Sequence, residues 1–588
     1  MFKKFFSSFK FLKLFFLIYK STKRILRRRL NYLIFKSLAS SILELSLILF
    51  SGSLAFLFLD DKNELKNMPE LFLTLGINNL SDLQISFLFI FISITATLFT
   101  FYVNCELIFL SHEISNDISS NLFNEFMDIE YTKYTQLSTD NFQQSTQYSQ
   151  SLAKNVIGFL DIVKGILSII LVSIGVLITI KESGIFLILL VFIIYLIIVL
   201  KTKKIFYILS EKLKILEGDL LRFTNTCYGG FRDIKFSNFT EYIKNTLIKK
   251  DREIKANRSK FYVYQVFPKY LLEILAFSFI GFILITKSLN INIFKTSFPE
   301  LIIIAFASLR LIPLFQKIFM LYSTLKLSSA QVNYLFQFLN FCKNKPYNNY
   351  KSKSVNENKK EFKLRDLVFD LKNISYSYPN DNKIVLKNIN LSIKINQWTV
   401  IQGATGSGKS TLLDILLGLL KPNEGEINFY FKSKFPKEPF QNISHVAQFP
   451  FLFIGDINKN IVGFDEKYID KKIFKRCLYY SCLDDDLNSG TLNLKDNVGE
   501  RGIKLSGGQR QRIGIARAIY LLLKQKRSIL ILDECTSALD EETSKKFISR
   551  LSEIKEEISM ILVTHRTDLN KMFDKIYFIK NGSLIEKV

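Results

Sequence analysis

The run Leu505-Ser506-Gly507-Gly508-Gln509 lies between two other motifs, and the three together decide the fold. Upstream is Gly403-Ala404-Thr405-Gly406-Ser407-Gly408-Lys409-Ser410, followed by Thr411. Its glycines let backbone N–H groups wrap phosphates, Lys409 can reach the outer phosphates, and the Ser410 hydroxyl can ligate magnesium. Downstream, Ser528-Ile-Leu-Ile-Leu-Asp533 has the unbroken apolar character of a parallel strand buried on both faces. Such a strand would end by presenting Asp533 to a metal shell. Glu534 follows at once, where its carboxylate can polarise an attacking water. The phosphate loop alone says only that a nucleotide binds.

In this order and spacing the three motifs are identified as an ATP-binding cassette, and the surrounding segments resemble the rest of one. Tyr378 precedes the phosphate loop at a distance suited to an adenine platform, with packing in a strand as the plain alternative. Trp398, nearer the loop, suggests packing. Gln448, in Ala447-Gln448-Phe449-Pro450, resembles the glutamine that links the metal site to a membrane domain. Ser537-Ala-Leu-Asp540 resembles the loop after the catalytic glutamate, and Thr564-His565-Arg566 the switch histidine that contacts the γ-phosphate. Val498-Gly-Glu500-Arg501-Gly502 resembles a segment found in exporter-type cassettes. His112 and His445 are assigned no role. Departures are modest: Thr405 stands where Ser is common, and Cys535 replaces a small Ala.

The chain's 588 residues imply several domains. Hydrophobic residues make up 48 %, with 56 Phe, concentrated in the first 325 positions. The six cysteines show no metal-ligand spacing and read as reduced thiols. A net charge of +26 raises the question of nucleic acid, but no reader motif is present and none is expected as a partner.

Six apolar segments, about 33–59, 85–110, 160–180, 184–202, 266–286 and 301–325, each approach the ~20 residues needed to cross a bilayer. Residues 1–30 hold ten Lys/Arg and no acid, whereas 60–84 hold five acids and two lysines, so the N-terminus is expected on the cytoplasmic side. Six crossings return the chain there at about residue 326. The N-terminal Phe/Lys stretch, ending in Arg27-Arg28-Arg29, reads as an interfacial amphipathic helix, and residues 65–75 as a short outer helix. The polar connections 111–159 and 203–265 read as cytoplasmic extensions of the spans. Their tips, near 121–134 and 224–236, are candidate coupling segments.

The whole chain resembles a half-transporter of the ABC exporter superfamily. That implies a polytopic α-helical membrane domain of six spans, of the type IV exporter kind, plus an α/β P-loop NTPase cassette. The expected divisions are 1–32, a basic cytoplasmic segment; 33–342, the membrane domain; 343–366, a linker; and 367–588, the cassette. The resemblance implies ATP and Mg2+ as cofactors, with Ser410, Gln448 and Asp533 at the metal and Glu534, His565 and Gln448 in catalysis. It also implies a homodimer in the inner (cytoplasmic) membrane, in which Ser506, Gly507, Gly508 and Gln509 complete the phosphate site of a second identical chain.

More narrowly, Phe267-Pro-Lys-Tyr-Leu-Leu-Glu273, Leu309-Arg310-Leu-Ile-Pro313 and Phe126-Met-Asp-Ile-Glu-Tyr-Thr-Lys-Tyr134 are similar to the PglK-type flippase of lipid-linked oligosaccharides. This implies an amphipathic substrate with a lipid-linked glycan. Arg310 lies ~14 Å into span six at 1.5 Å per residue, and Glu44 reaches a similar depth in span one. Either Arg310 lines the path of an anionic head group with Glu44 as its resting partner, or the two form a structural pair. Lys269 and Glu273 read as a local i,i+4 ion pair. The function expected is an ATP-driven flippase, with a lipid or multidrug exporter as the alternative. An ATP-gated channel or sensor would tolerate loss of Glu534 or His565, and both are present.

Overall fold

The computed structural model describes residues 10–57, 82–179, 181–289, 298–343, 367–378, 383–429, 442–463 and 469–587. The expected outer helix at 65–75 and the linker from 344 to 366 lie outside them. The chain forms two compact units: one of residues 1–129 and 133–344, the other of 130–132 and 345–588.

The first unit is helical. Helix α1 (Lys10–Ser21) is followed by α2 (Arg24–Leu57) and α3 (Asp82–Met127). Then come α4 (Tyr131–Tyr134), whose first two residues belong to the second unit, α5 (Thr139–Gln150), α6 (Leu152–Thr179), α7 (Lys181–Gly229), α8 (Phe231–Phe236), α9 (Thr240–Ser288) and α10 (Phe298–Cys342). Each expected span falls on a long helix. Over the described residues, Ser86–Met127, Thr139–Ile174 and Thr240–Thr286 are long and apolar enough to cross a membrane. These carry the second, third and fifth expected spans. The other three fall on α2, α7 and α10, where many of the apolar side chains lie outside the described residues; so do the side chains of Glu44 and Arg310.

The extensions are continuous with the spans, since α7 and α9 each run 49 residues without a break. The short helices α4 and α8 occupy the two expected tips. One boundary differs from the sequence expectation. The first span helix starts at Arg24, within the stretch assigned to the basic segment. Ser21 and Thr22 turn their hydroxyls back onto the carbonyls of Ile18 and Tyr19. The Lys23 N–H is then captured by Asp117, 94 residues away. A partner that distant is invisible to local periodicity.

The buried centre joins Ile18, Leu30 and Leu33 to Val103, Leu107 and Leu110, and to Phe159, Tyr322 and Leu325. Gln265 fastens α9 to α10 by donating to Met320 O at 3.0 Å and to Ser323 Oγ at 2.8 Å. Its amide thus meets carbonyl and hydroxyl acceptors where water is scarce. Lys269 and Glu273 pair at 3.7 Å.

In the second unit, β1 (Leu367–Ser377), β2 (Ile384–Lys394) and β4 (Glu424–Phe429) make an antiparallel sheet in the order β2-β1-β4. The larger sheet contains β3 (Trp398–Gly403), β5 (Ile443–Val446), β6 (Ile529–Asp533), β7 (Ser559–Val563), β8 (Lys575–Lys580) and β9 (Ser583–Lys587). Its order is β5-β6-β7-β3-β8-β9, parallel except for β9. Among the described residues, the α-helices of this unit are α11 (Lys409–Leu416), α12 (Ile457–Val462), α13 (Lys471–Tyr480), α14 (Leu483–Asn488), α15 (Gly507–Lys524) and α16 (Glu541–Ser552). Ile529 to Leu532 are fully buried, as an unbroken apolar run in a central parallel strand requires. Because β3, β6 and β7 run the same way, the residues that follow them gather at one carboxyl edge of the sheet.

Candidate nucleotide site

Gly403 ends β3 and Lys409 begins α11 (Lys409–Leu416), so the phosphate loop is the turn between them. Gly408 has φ 106°, and a Cβ there would come within 2.8 Å of Leu386. A Cβ on Gly403 would stand 2.6 Å from the Ile579 carbonyl. Only glycine fits this course of the chain. Lys409 is buried and donates to the carbonyls of Gly403 and Ala404 at 2.9 and 3.0 Å, closing the loop over its own backbone. Ala404, Thr405 and Gly406 are exposed on the rim and Ser410 is exposed on the helix. The Ser407 hydroxyl is buried with no hydrogen-bond partner among the described residues, which suits a phosphate oxygen. Tyr378 bonds Thr411 through their hydroxyls at 3.0 Å. With Gly403–Ser407 and His565 it lines a cleft of about 1660 Å³.

Glu534 is the centre of the site. It follows β6 at φ 44°, left-handed backbone that a carboxylate residue rarely adopts. Its N–H donates to Val563 O at 2.8 Å, which holds the turn against β7. The side chain then accepts a hydrogen bond from Gln448 Nε2 at 2.6 Å on one oxygen, and His565 Nε2 stands 2.8 Å from the other. Three residues widely separated in sequence therefore meet on one carboxylate. Burial, then Glu534, pushes the neighbouring Asp533 carboxyl above its ordinary value, while Lys409 pulls the other way. A divalent cation would relieve that crowding of acids, so this donor set fits magnesium.

Ser506 caps α15 (Gly507–Lys524) in a reciprocal arrangement. Its hydroxyl accepts from Gln509 N at 3.2 Å, and Gln509 Oε1 accepts from Ser506 N at 2.9 Å. Gly507 and Gly508 open the helix, and a Cβ on Gly508 would lie 3.2 Å from Ala538 O. This edge presents backbone N–H groups at a helix N-terminus. Asp540 likewise caps α16 (Glu541–Ser552), accepting from Thr543 N at 2.9 Å. Cys535 is fully buried and burial pushes its thiol up, so it is an inert core residue.

Comparison with known proteins agrees with this geometry. Residues 386–537 match the ABC transporter family. The glutathione/L-cysteine transport system ATP-binding/permease protein CydC of Haemophilus influenzae is 33 % identical over 230 residues, 39 % of each chain. An ATP-dependent lipid A-core flippase of Pectobacterium atrosepticum is 30 % identical over 232 residues, again 39 % of each. The aligned part thus spans about two-fifths of these relatives. The structure of a bacterial Atm1-family ABC exporter with ATP bound superposes with a TM-score of 0.75 at 17 % identity, covering 96 % of this chain and 95 % of that one.

The chain has the fold of an ABC exporter.

Within that exporter fold, three contacts around the site have no signature in the motifs. Asp414 on α11 is pushed up to about 6, mainly by burial and then by Asp533. The Gln448 segment is fastened to α15: Arg517 donates to Phe451 O at 2.8 Å, and Gly514 lies so near Pro450 that a Cβ would be 2.6 Å away. The acidic run Asp484–Asp486, on the short helix α14 (Leu483–Asn488) that precedes α15, joins α15 to α16. Arg512 meets Asp486 at 2.8 Å, Arg550 meets Asp484 at 2.7 Å, and Lys546 meets Asp485 at 2.8 Å. The triple Asp was the available signal, but its partners lie 26 to 66 residues on.

Proposed function

We propose that this chain is an ATP-driven exporter that flips an amphipathic, lipid-like substrate across the cytoplasmic membrane as a homodimer, hydrolysing ATP to ADP and phosphate. The observation that carries it is the convergence of Gln448 and His565 on Glu534 beside Asp533, at the sheet edge that also holds the phosphate loop. Glu534 holds the attacking water and accepts its proton. His565 orients that carboxylate and reaches the γ-phosphate, while Gln448 couples the site to the rest of the chain. Ser410, Gln448 and Asp533 are the residues that would hold magnesium, which neutralises charge on the phosphates. Because Glu534 engages the Gln448 amide nitrogen, the amide oxygen is the atom that would serve a cation. Tyr378 stacks on the adenine. Ser506 and the following N–H groups close over the partner's nucleotide.

The substrate we test first is a lipid-linked oligosaccharide, on the short membrane-domain similarities to the PglK-type flippase, with Arg310 and Glu44 along its path. A lipid or drug substrate is the second reading, favoured by the flippase among the relatives and by a multidrug resistance-like ATP-binding protein of Buchnera aphidicola, 35 % identical over 226 residues. Proteoliposomes of the wild type and Glu534→Gln distinguish them. ATP-dependent flipping of the glycolipid by the wild type alone supports the first reading. Hydrolysis without flipping rejects it in favour of the second, and no hydrolysis rejects both.

A further inference from the structure

We propose that the turn between α1 and α2 and the first two turns of α2 form a binding site for an anionic phospholipid of the cytoplasmic leaflet; this rests on the membrane orientation given above. Residues 10–29 contain eight Lys/Arg and no acid. Two of these cations fix the segment to α3: Lys23 pairs with Asp117 at 2.6 Å and Arg29 with Glu113 at 2.5 Å. Phe15 stacks on Phe159 at 3.6 Å, and Ile18 is buried in the helical core. The segment is thus seated by its own contacts before any lipid arrives.

The remaining charge faces outward. Lys20, Arg24 and Arg28 are exposed, and among the described residues no carboxylate pairs with them or with Arg27. Arg28 stands on one face with Ile25, Tyr32 and Phe35, at i, i+3, i+7 and i+10. Ile25 is 73 % and Phe35 67 % exposed, so this face offers apolar side chains where the first span begins and guanidinium groups just before them. An apolar stripe topped by unpaired cations complements acyl chains topped by phosphate. A free phosphate would use the cations and leave the stripe bare, so a lipid is the better occupant.

The chain's single tryptophan, Trp398, is fully buried in the second unit, so Ile25→Trp adds a reporter on this face alone. The full-length variant is reconstituted with brominated phosphatidylglycerol or brominated phosphatidylcholine, each diluted in unbrominated phosphatidylcholine. Quenching should show phosphatidylglycerol preferred several-fold at this site. Adding Lys20→Gln, Arg24→Gln and Arg28→Gln should bring the preference close to unity, since these cations supply the attraction for the anionic head group. Raising the salt concentration should weaken it in the unsubstituted background, a check that does not depend on the triple variant folding. Equal quenching by both lipids, or a preference that survives the three substitutions and salt, overturns the site. Quenching by neither lipid overturns it too, because the face then lies outside the bilayer. ATP-dependent flipping is scored on the same liposomes; its loss with the preference intact would reject the transport reading and leave this one standing.

Discussion

Glu534 combines strain and contact in one residue. A left-handed backbone at a carboxylate costs of order 1 kcal/mol and persists only where neighbours enforce it, here the Val563 carbonyl, the Gln448 amide and the close His565 ring. Glu534→Gln keeps the shape and removes the base. We expect turnover to fall by roughly 10²- to 10⁴-fold with nucleotide binding retained, measured by phosphate release beside equilibrium binding. A fall in binding of the same size would mean that Glu534 holds the ligand instead of the water. Asp414 gives a pH signature of the opposite kind from a paired carboxylate. Its folded pKa, about 6, lies above the unfolded value near 3.8, so the folded chain holds the extra proton between them. Its contribution to stability therefore declines as pH rises from about 4 to 6. Asp414→Asn should flatten that decline in melting experiments on the nucleotide-free protein; an unchanged slope would refute the assignment. The motifs made Glu534, Gln448 and His565 legible as separate candidates, each by its order along the chain. Their meeting on one carboxylate was not legible, because it depends on β6 and β7 being neighbours. Asp414 carried no signal, since its burial is a property of the packed sheet.

At the scale of elements, α15 is the part most exposed to substitution. Gly514→Ala would drive a methyl group into Pro450, and such overpacking typically costs 1–3 kcal/mol. We expect a lower melting temperature and slower hydrolysis together, because the displaced segment carries Gln448. A lower melting temperature with normal turnover would show that the contact is structural only. The helices of the membrane unit were largely readable, since long uncharged runs leave few alternatives. The start of α2 was not. Basic residues such as Arg27–Arg29 suggested an end to the interfacial segment, whereas the break is set by Asp117 on another helix capturing the Lys23 N–H. The acidic knot at Asp484–Asp486 was missed for a related reason: charge on one short helix says nothing of which helix will answer it.

The whole molecule carries one phosphate loop and one LSGGQ motif per chain, which makes the proposed dimer testable by arrangement alone. Lys409→Ala disables a chain's own loop, and Ser506→Arg disables what it lends to a partner. Co-expressing one chain with each change leaves one composite site intact and should restore part of the hydrolysis. Placing both changes in a single chain paired with a wild-type chain damages both sites and should restore none. Equal activity in the two pairings would exclude the shared-site arrangement. The division into a helical and an α/β unit was visible in composition, because apolar runs stop near residue 325 and motif spacing takes over. A last consequence follows from the unbroken helix α7, which has no interior proline. At 1.5 Å per residue its 49 residues make a rod about 74 Å long, so a tilt of about 5° at one end carries the other some 6 Å sideways. Leverage of that kind turns a rotation too small to disturb side-chain packing into a displacement wider than a helical turn is tall.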